Sequence, residues 1–228
     1  MEDLSSAIRS HQPLVVGALG DHRVLDASIA EGDCDLIELR LDSLGFGPEV
    51  QAFAKKNKVT HPILLTARHP DEGGMNDFTV SDRVAAYSAL LDHASLIDLE
   101  LQSLDDLASI WAESGERGLV RVASWHNFTS CPSKAELRAT MTRMQEAGAD
   151  IAKCAFRLQG PADLQRVAEA FHEAPLPLSI MGMGPLAPAS RLLAARLGSV
   201  LNYGYLGQEA TAPGQWPAGF LKEAIHLA

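Results

Sequence analysis

Short apolar runs alternate along the chain with longer segments of helical periodicity. Eight runs have the length and composition of strands: Leu14–Leu19, Leu36–Leu41, Ile63–Ala67, Leu96–Leu101, Leu119–Ser124, Ile151–Phe156, Leu178–Met181 and Val200–Tyr205. Several of them are apolar on both faces, which is typical of a buried parallel sheet. Eight strand-then-helix units are the number that closes a parallel barrel. The pattern therefore predicts an α/β fold, a single (β/α)8 (TIM) barrel domain over residues 1–228, with a doubly wound open sheet as the main alternative.

Two of the intervening helices have clear sequence signals. Residues Asp82–His93 repeat apolar side chains at helical spacing. Ser133 and Glu136 form a typical helix start, with a cap residue followed by an early acid. We expect that helix to cover Lys134–Ala147 and to stop at Gly148.

Composition and charge narrow the range of partners. The 228 residues carry a formal net charge of −10, which argues against nucleic acid and anionic membranes. The three cysteines form no C-x-x-C pair, and no apolar stretch approaches the ~20 residues of a membrane-spanning helix. The first residues show no leader-like pattern. These features predict a cytoplasmic protein without disulfides.

Lys153 differs from the other lysines because it lies inside an apolar strand, Ile151–Phe156. Burial and nearby cations lower the pKa of a lysine and make its amine a nucleophile toward carbonyl groups. From the strand alone, a structural lysine that pairs with a core acid or reaches the barrel rim is the simpler interpretation.

His126 follows the fifth predicted strand. A histidine at the carboxyl end of a barrel strand is well placed for acid–base chemistry near neutral pH. A hydrogen-bonded histidine at the start of a loop fits the position equally well. The other histidines show no metal-binding spacing such as H-x-x-x-H, so we predict no metal site.

The second strand has a charged face. Glu38, Arg40 and Asp42 alternate with apolar residues, so all three point to one side of the predicted strand. Three charges that point into a barrel are costly unless they serve a polar site. An exposed edge strand with a salt-bridged face is the alternative.

Charged residues also stand at the carboxyl ends of the third and fourth strands. Arg68 comes directly after the third strand, and the loop that follows holds Glu72 and two glycines that permit a tight turn. An ordinary polar loop is the alternative. Asp98 and Glu100 share one face of the fourth strand, and one of them is expected to orient a catalytic residue.

Two late segments have the composition of anion sites. Arg191, after the seventh strand, has the geometry to hold a carboxylate in a two-pronged ion pair. Thr211 and Gln215 offer hydrogen bonds on a Pro-Gly turn after the eighth strand. A surface arginine and a plain turn are the structural alternatives.

Taken together, these segments resemble the type I 3-dehydroquinate dehydratases of the shikimate pathway. The matching pieces are E-L-R-L-D at Glu38–Asp42, T-x-R-x-x-x-E-G-G at Thr66–Gly74, S-W-H-N-F around His126, A-D-I-A-K at Ala149–Lys153, S-R at Ser190–Arg191 and A-P-G-Q at Ala212–Gln215. Each motif is short, but the set keeps the family's order and spans most of the chain. The chain departs from the family at Ala187, where a glycine is usual, and at Thr211, where serine is frequent.

The resemblance implies a mechanism. Lys153 attacks the ketone of 3-dehydroquinate, and the resulting imine acidifies the adjacent C–H bond. His126 removes that proton and returns one to the departing hydroxyl, and Glu72 corresponds to a second acid beside it. Hydrolysis of the imine then releases 3-dehydroshikimate.

The resemblance also implies substrate contacts and an assembly. Arg191 and Gln215 are expected to hold the substrate carboxylate, and Thr211 keeps a hydroxyl in the same binding loop. The residues expected to hold the substrate hydroxyls are Glu38, Arg40 and Arg68. The family uses no cofactor and forms a homodimer, so both are expected here.

Two other functions fit parts of the pattern. A class I aldolase also uses a lysine imine in a barrel, but many such enzymes bind phosphate through glycine-rich late loops, where this chain has Arg191 and Gln215. A non-catalytic barrel that binds a related metabolite or a partner protein is the second alternative. It requires that Lys153 and His126 be dispensable for binding.

Overall fold

The computed structural model describes residues 4–30, 32–208, 210 and 214–227. Eight strands lie in this part of the chain: β1 (Leu14–Leu19), β2 (Leu36–Arg40), β3 (Ile63–Thr66), β4 (Leu96–Glu100), β5 (Val120–Asn127), β6 (Ile151–Arg157), β7 (Leu178–Met183) and β8 (Leu201–Tyr205). All neighbouring strands are parallel, and their order is β7-β6-β5-β4-β3-β2-β1-β8. A doubly wound sheet reverses its strand order at a switch point, and this sheet does not. The predicted barrel is confirmed.

The barrel closes between β7 and β8. The backbone N–H of Val200 donates to the carbonyl of Leu178 at 3.0 Å. The next backbone N–H, that of Leu201, donates to Ser179 Oγ at 2.8 Å. These two bonds join the first and last members of the strand order near the amino ends of the strands, and the barrel is nearly closed.

Helices alternate with the strands and cover the outside of the barrel. Those in the described residues are α1 (Leu4–Arg9), α2 (Leu41–Leu44), α3 (Pro48–Asn57), α4 (Val80–Leu90), α5 (Ala108–Glu116), α6 (Lys134–Glu146), α7 (Pro161–Glu173), α8 (Ala187–Arg196) and α9 (Ala218–Leu227). A large apolar cluster fills the space between the sheet and this outer layer. No helix in the described ranges has the length and apolar character needed to cross a membrane.

Helix boundaries follow the caps in the sequence. At α6, Ser133 and Glu136 form the expected capping box, and Gly148 follows the helix with a φ of 77°. α4 begins at Val80, two residues earlier than predicted, because Thr79 forms a capping box with Asp82. It ends at Leu90, and a 3-10 turn replaces the predicted last turn.

Most strands differ from the prediction by one to three residues at an end, and two of these differences affect the candidate site. β5 runs to Asn127, so His126 lies within the strand rather than after it. Its pairing with β6 continues to the Asn127–Phe156 pair, and these ladder bonds extend the strand. β2 ends at Arg40, and Asp42 belongs to the short helix α2 rather than to the charged face of the strand.

The barrel interior consists of layers in which alternate strands contribute side chains, as is usual in this fold. β2, β4, β6 and β8 supply a lower, apolar layer: Leu36, Leu96, Ile151 and Leu201. Two residues further along each strand, the same strands supply a second layer: Glu38, Asp98, Lys153 and Tyr203. The change from apolar to polar between these layers places the chemistry at the carboxyl ends of the strands.

The amino end of the barrel is filled by apolar side chains. Ala7 and Ile8 of α1 pack in the same buried cluster as Leu36 and Leu201 of the lower layer. These four residues are 5% exposed or less. The interior therefore opens toward solvent at the carboxyl end.

Candidate active site

A cavity of about 270 Å³ lies at the carboxyl end of the barrel. Its polar lining residues are Glu38, Arg40, Arg68, Glu72, His126, Lys153, Arg191, Tyr203 and Gln215. Its apolar lining includes Met75, Phe128, Ala155, Met181 and Met183. The site residues selected from the sequence thus converge on one cavity, except Thr211, which lies outside the described residues.

Lys153 lies on β6 and is buried in the second inner layer. Its Nζ donates a hydrogen bond to Asp98 Oδ2 at 2.6 Å. Burial is the main cause that lowers the pKa of Lys153, and the charge of Arg68 adds to it, against the opposing effect of Asp98. A lowered pKa makes the neutral, nucleophilic amine more accessible at neutral pH.

Asp98 is shared between two cations. Arg68 Nη2 donates to the same Oδ2 atom as Lys153, at 3.0 Å, and Ser124 Oγ donates to Oδ1 at 2.5 Å. Burial alone raises the pKa of Asp98, but Arg68 and Lys153 outweigh it and lower that pKa overall. Asp98 therefore remains a carboxylate that fixes the position of the amine. This is one of the two acids that the sequence left open.

Glu100, the other acid, forms ion pairs with two arginines. It accepts a hydrogen bond from Arg68 Nη1 at 2.7 Å, and its second oxygen accepts a short contact from Arg83 Nη2. Arg83 itself is buried and also donates to the carbonyl of Ala67 at 2.8 Å. Glu100 thus holds the end of β3 against β4, and among the described contacts it bonds neither His126 nor Lys153.

His126 and Glu72 form a pair. His126 Nδ1 lies 2.7 Å from Glu72 Oε2. Burial raises the pKa of Glu72 to about 7, although Arg68 opposes the shift. Burial, and then the charges of Arg68 and Lys153, lower the pKa of His126 well below its usual value. The ring is therefore neutral at physiological pH and able to accept a proton.

The loop that carries Glu72 is fixed by the second strand. Arg40 binds Asp42 through two hydrogen bonds, at 2.9 and 2.7 Å, and its Nη2 also donates to the carbonyl of Gly73 at 3.2 Å. Asp42 in turn accepts the backbone N–H groups of Arg68 at 3.2 Å and Met75 at 3.1 Å. Asp42 thus anchors both ends of the loop, a role that the charge pattern alone did not indicate.

Gly74 allows this loop to fold back on itself. A Cβ atom at this position would lie 2.3 Å from the carbonyl oxygen of Arg68, a backbone atom that cannot move aside alone. We expect Gly74→Ala to lower the free energy of unfolding by about 1–3 kcal/mol, since overpacking distorts the loop. It should also reduce kcat by displacing Glu72. Urea denaturation and steady-state kinetics measure both, and Gly32→Ala is a matched control, because its Cβ meets no atom within 4 Å. Equal behaviour of the two variants would contradict the expectation.

The opposite wall of the cavity carries Arg191. Arg191 belongs to α8, and its side chain is buried. Its Nη1 donates to the backbone carbonyl of Tyr203 at 2.7 Å. Burial lowers the pKa of Arg191 to about 10. Its Nε has no hydrogen-bond partner among the described residues. Ala187, where the family usually has glycine, is the first residue of α8 and is fully buried.

Comparison with known proteins agrees with this geometry. The model of the type I 3-dehydroquinase family matches residues 13–228. The chain belongs to this family. As a member of the type I 3-dehydroquinases it is a hydro-lyase that converts 3-dehydroquinate to 3-dehydroshikimate and water through a lysine Schiff base. The resemblance found in the sequence is confirmed.

Curated relatives and solved structures support the assignment to the type I 3-dehydroquinases. A 3-dehydroquinate dehydratase of Methanocella arvoryzae is 31% identical over 217 residues, which cover 94% of this chain and 96% of that protein. One from a Geobacillus species is 36% identical over 173 residues, which cover 73% of this chain and 66% of that protein. The crystal structure of 3-dehydroquinate dehydratase from Geobacillus kaustophilus superposes with a TM-score of 0.80 at 26% identity, covering 95% of this chain and 91% of that one.

One polar residue of the cavity lining, Tyr203, was missed by the sequence analysis. Tyr203 lies on β8, and its ring faces Lys153 Nζ at 4.2 Å from the ring centroid. An aromatic residue inside an apolar strand is normally core, so the pattern held no distinct signal. The signal available was its period-two spacing from Leu201, which places it on the inner face of the barrel.

Proposed function

We propose that Lys153 is the nucleophile of the dehydration. The neutral amine attacks the ketone carbon of 3-dehydroquinate, and the adduct takes up one proton from solvent and loses water to give a protonated imine. The imine draws electrons from the neighbouring C–H bond and acidifies it. The observation that carries this assignment is that Lys153 is buried, hydrogen-bonded to Asp98, and in the same cavity as His126.

We propose that His126 carries the proton. Its neutral imidazole takes the proton from the carbon next to the imine, the C–O bond to the leaving hydroxyl breaks, and the same ring returns the proton to that oxygen. Release of this water leaves the product bound to Lys153 as a conjugated imine. A water molecule then hydrolyses the imine and frees Lys153. Glu72 orients the ring and balances the imidazolium that forms.

The walls of the cavity suit the two ends of the substrate. We propose that Arg191 and Gln215 bind the carboxylate, with Thr211 beside them, and that Glu38 and Arg40 bind ring hydroxyls. Arg68 lines the same cavity, while its described bonds go to Asp98, Glu100 and Ser124. Its proposed contribution is therefore mainly its charge, which keeps Lys153 and His126 neutral.

Membership of the family supports a proposal for the assembly and location of the protein. We propose a single catalytic domain that forms a homodimer in the cytoplasm and needs no cofactor. Sedimentation velocity of the purified protein tests the dimer, and a monomer at micromolar concentration would contradict it. Among the described residues no group of three or more histidine, cysteine or acidic side chains is placed to hold a metal ion.

The function is tested by trapping the imine. Addition of 3-dehydroquinate together with borohydride should reduce the imine and add the mass of the bound substrate skeleton to the protein. Without borohydride, ultraviolet absorbance should rise as the enone product forms. Absence of both signals would exclude the dehydratase mechanism and favour a non-catalytic barrel.

We expect kcat/KM to fall as the pH falls through about 7. Above this pH, ionised Glu72 accepts the Nδ1 proton of His126, and Nε2 is free to act as the base. Below it, protonated Glu72 donates to Nδ1, and the ring proton moves to Nε2. The pH at which kcat/KM falls is set by the raised pKa of Glu72, about 7. Because Glu72 and His126 share a proton, the apparent pKa in the profile belongs to both residues together. A pH–rate profile measures it.

Glu72→Gln is the matching variant for this profile. The amide keeps the size and a hydrogen bond but cannot ionise, so the acidic limb near pH 7 should disappear while the overall rate is lower. If the profile of Glu72→Gln still falls at the same pH, the fall is due to a group other than Glu72.

A further inference from the structure

Tyr203 belongs to the same inner layer as Lys153 and Asp98. It lies on β8, is 4% exposed, and lines the cavity. Its backbone carbonyl accepts a hydrogen bond from Arg191, and its ring faces Lys153. The residue thus lies between the amine that binds the ketone and the arginine proposed for the carboxylate.

The hydroxyl of Tyr203 has no hydrogen-bond partner within the described part of the chain. Its Oη atom is buried. A buried tyrosine hydroxyl normally finds a partner, because leaving it unpaired is costly. Tyr87 shows the usual case, since its Oη donates to the carbonyl of Asp98 at 2.7 Å and accepts the N–H of Ala67 at 2.9 Å. Because Tyr203 lines the cavity, a ligand bound there is the available partner for this hydroxyl.

The surrounding charges indicate which group that ligand presents. Burial raises the pKa of Tyr203, and the negative charges of Glu38 and Asp98 raise it further against the opposing charge of Arg68, so the phenol stays protonated. Positive charge from Arg68 and Lys153 lies near the same position, so the local charges do not select for an anion. An uncharged hydroxyl, which both donates and accepts, suits a place between a phenol and a carboxylate.

We propose that Tyr203 is a substrate-binding residue whose hydroxyl bonds a ring hydroxyl of 3-dehydroquinate near the carbon attached to Lys153. Because the phenol ring lies 4.2 Å from Lys153 Nζ, one six-membered substrate ring is able to contact both residues. The bond selects for a hydroxylated ring, since a substrate without that hydroxyl leaves the phenol unpaired. The inference rests on the proposed function of Lys153.

Tyr203→Phe is the direct test, because it removes one oxygen and keeps the ring that faces Lys153. We expect KM for 3-dehydroquinate to rise about tenfold, while kcat changes less than about threefold. Tyr205→Phe, two residues along the same strand, removes the same atom outside the cavity lining and should leave both constants unchanged.

Binding is measured separately from chemistry in the Lys153→Ala background. Titration calorimetry with 3-dehydroquinate should show a dissociation constant about tenfold higher for Lys153→Ala/Tyr203→Phe than for Lys153→Ala. With analogues that each lack one ring hydroxyl, the effect of Tyr203→Phe should vanish for one analogue and persist for the others.

Three results would overturn the proposal. The first is an unchanged KM in Tyr203→Phe together with an unchanged dissociation constant in Lys153→Ala/Tyr203→Phe. The second is an unchanged KM with a lowered melting temperature, which would mean that the hydroxyl bonds within the protein. The third is a loss confined to kcat. Failure of the proposed function is distinguishable, because it would appear as a missing borohydride adduct in the wild-type protein.

Discussion

Replacement of Lys153 by alanine is expected to lower kcat by a factor on the order of 10⁵ and to abolish the borohydride adduct. The amine forms the covalent intermediate, and without it the C–H bond next to the ketone has no imine to acidify it. The variant should still fold, since Asp98 keeps its hydrogen bonds from Arg68 and Ser124. Mass spectrometry after borohydride treatment and an absorbance assay for the enone product measure the two effects.

Lys134→Ala is the matched control for this loss. Lys134 lies at the start of α6 and forms an exposed ion pair with Glu173 at 2.6 Å. Such pairs contribute little to stability, so activity and adduct formation should remain as in the wild type. An adduct that persists in Lys153→Ala and maps to another lysine would refute the assignment.

His126→Ala is expected to lower kcat by about 10²- to 10⁴-fold, the range for loss of a general acid–base group. The second expected result separates its role from that of Lys153. Because the amine remains, 3-dehydroquinate should still form an imine, and borohydride should still trap an adduct. Single-turnover kinetics with mass detection follow the formation and decay of this species.

His172→Ala controls for loss of an imidazole elsewhere. His172 is an exposed residue of α7, outside the cavity lining, and its removal should not change kcat. Retention of more than a tenth of wild-type kcat in His126→Ala would mean that another group carries the proton. Loss of the adduct in a folded His126→Ala protein would place His126 in imine formation instead.

The fold was predictable because strand and helix patterns alternate without interruption. The eight apolar runs all became strands, and capping residues such as Ser133 marked a helix start correctly. Strand ends were less predictable, because they depend on pairing with the neighbouring strand. β5 extends past Ser124 to include His126 since β6 offers partners that far.

The residues of the site were predictable as a set, but their contacts were not. A period-two pattern places Arg40 on the inner face of β2, yet it does not say whether so long a side chain reaches a substrate or a nearby acid. In the structure Arg40 binds Asp42, and Arg68 lies between Asp98 and Glu100. Such choices depend on the distances between strands, which a single sequence does not contain.

The role of Tyr203 was not predictable from the sequence, for a different reason. A tyrosine within an apolar run matches the composition of a core strand, and burial alone agrees with that interpretation. The orientation of its ring toward Lys153 depends on the stagger of β8 against β6 around the barrel. Only the assembled layers reveal that its hydroxyl lacks a partner in the described structure.

The apolar layer at the amino end of the barrel affects how substrate enters and product leaves. In the described part of the chain, Leu36, Leu96 and Leu201 fill that side together with Ile8 of α1. Substrate, product and the three water molecules of the cycle are therefore expected to share the entrance at the carboxyl end. Product must depart before the next substrate arrives, so inhibition by 3-dehydroshikimate should be purely competitive, and a molecule wedged at that entrance should halt turnover without touching the imine.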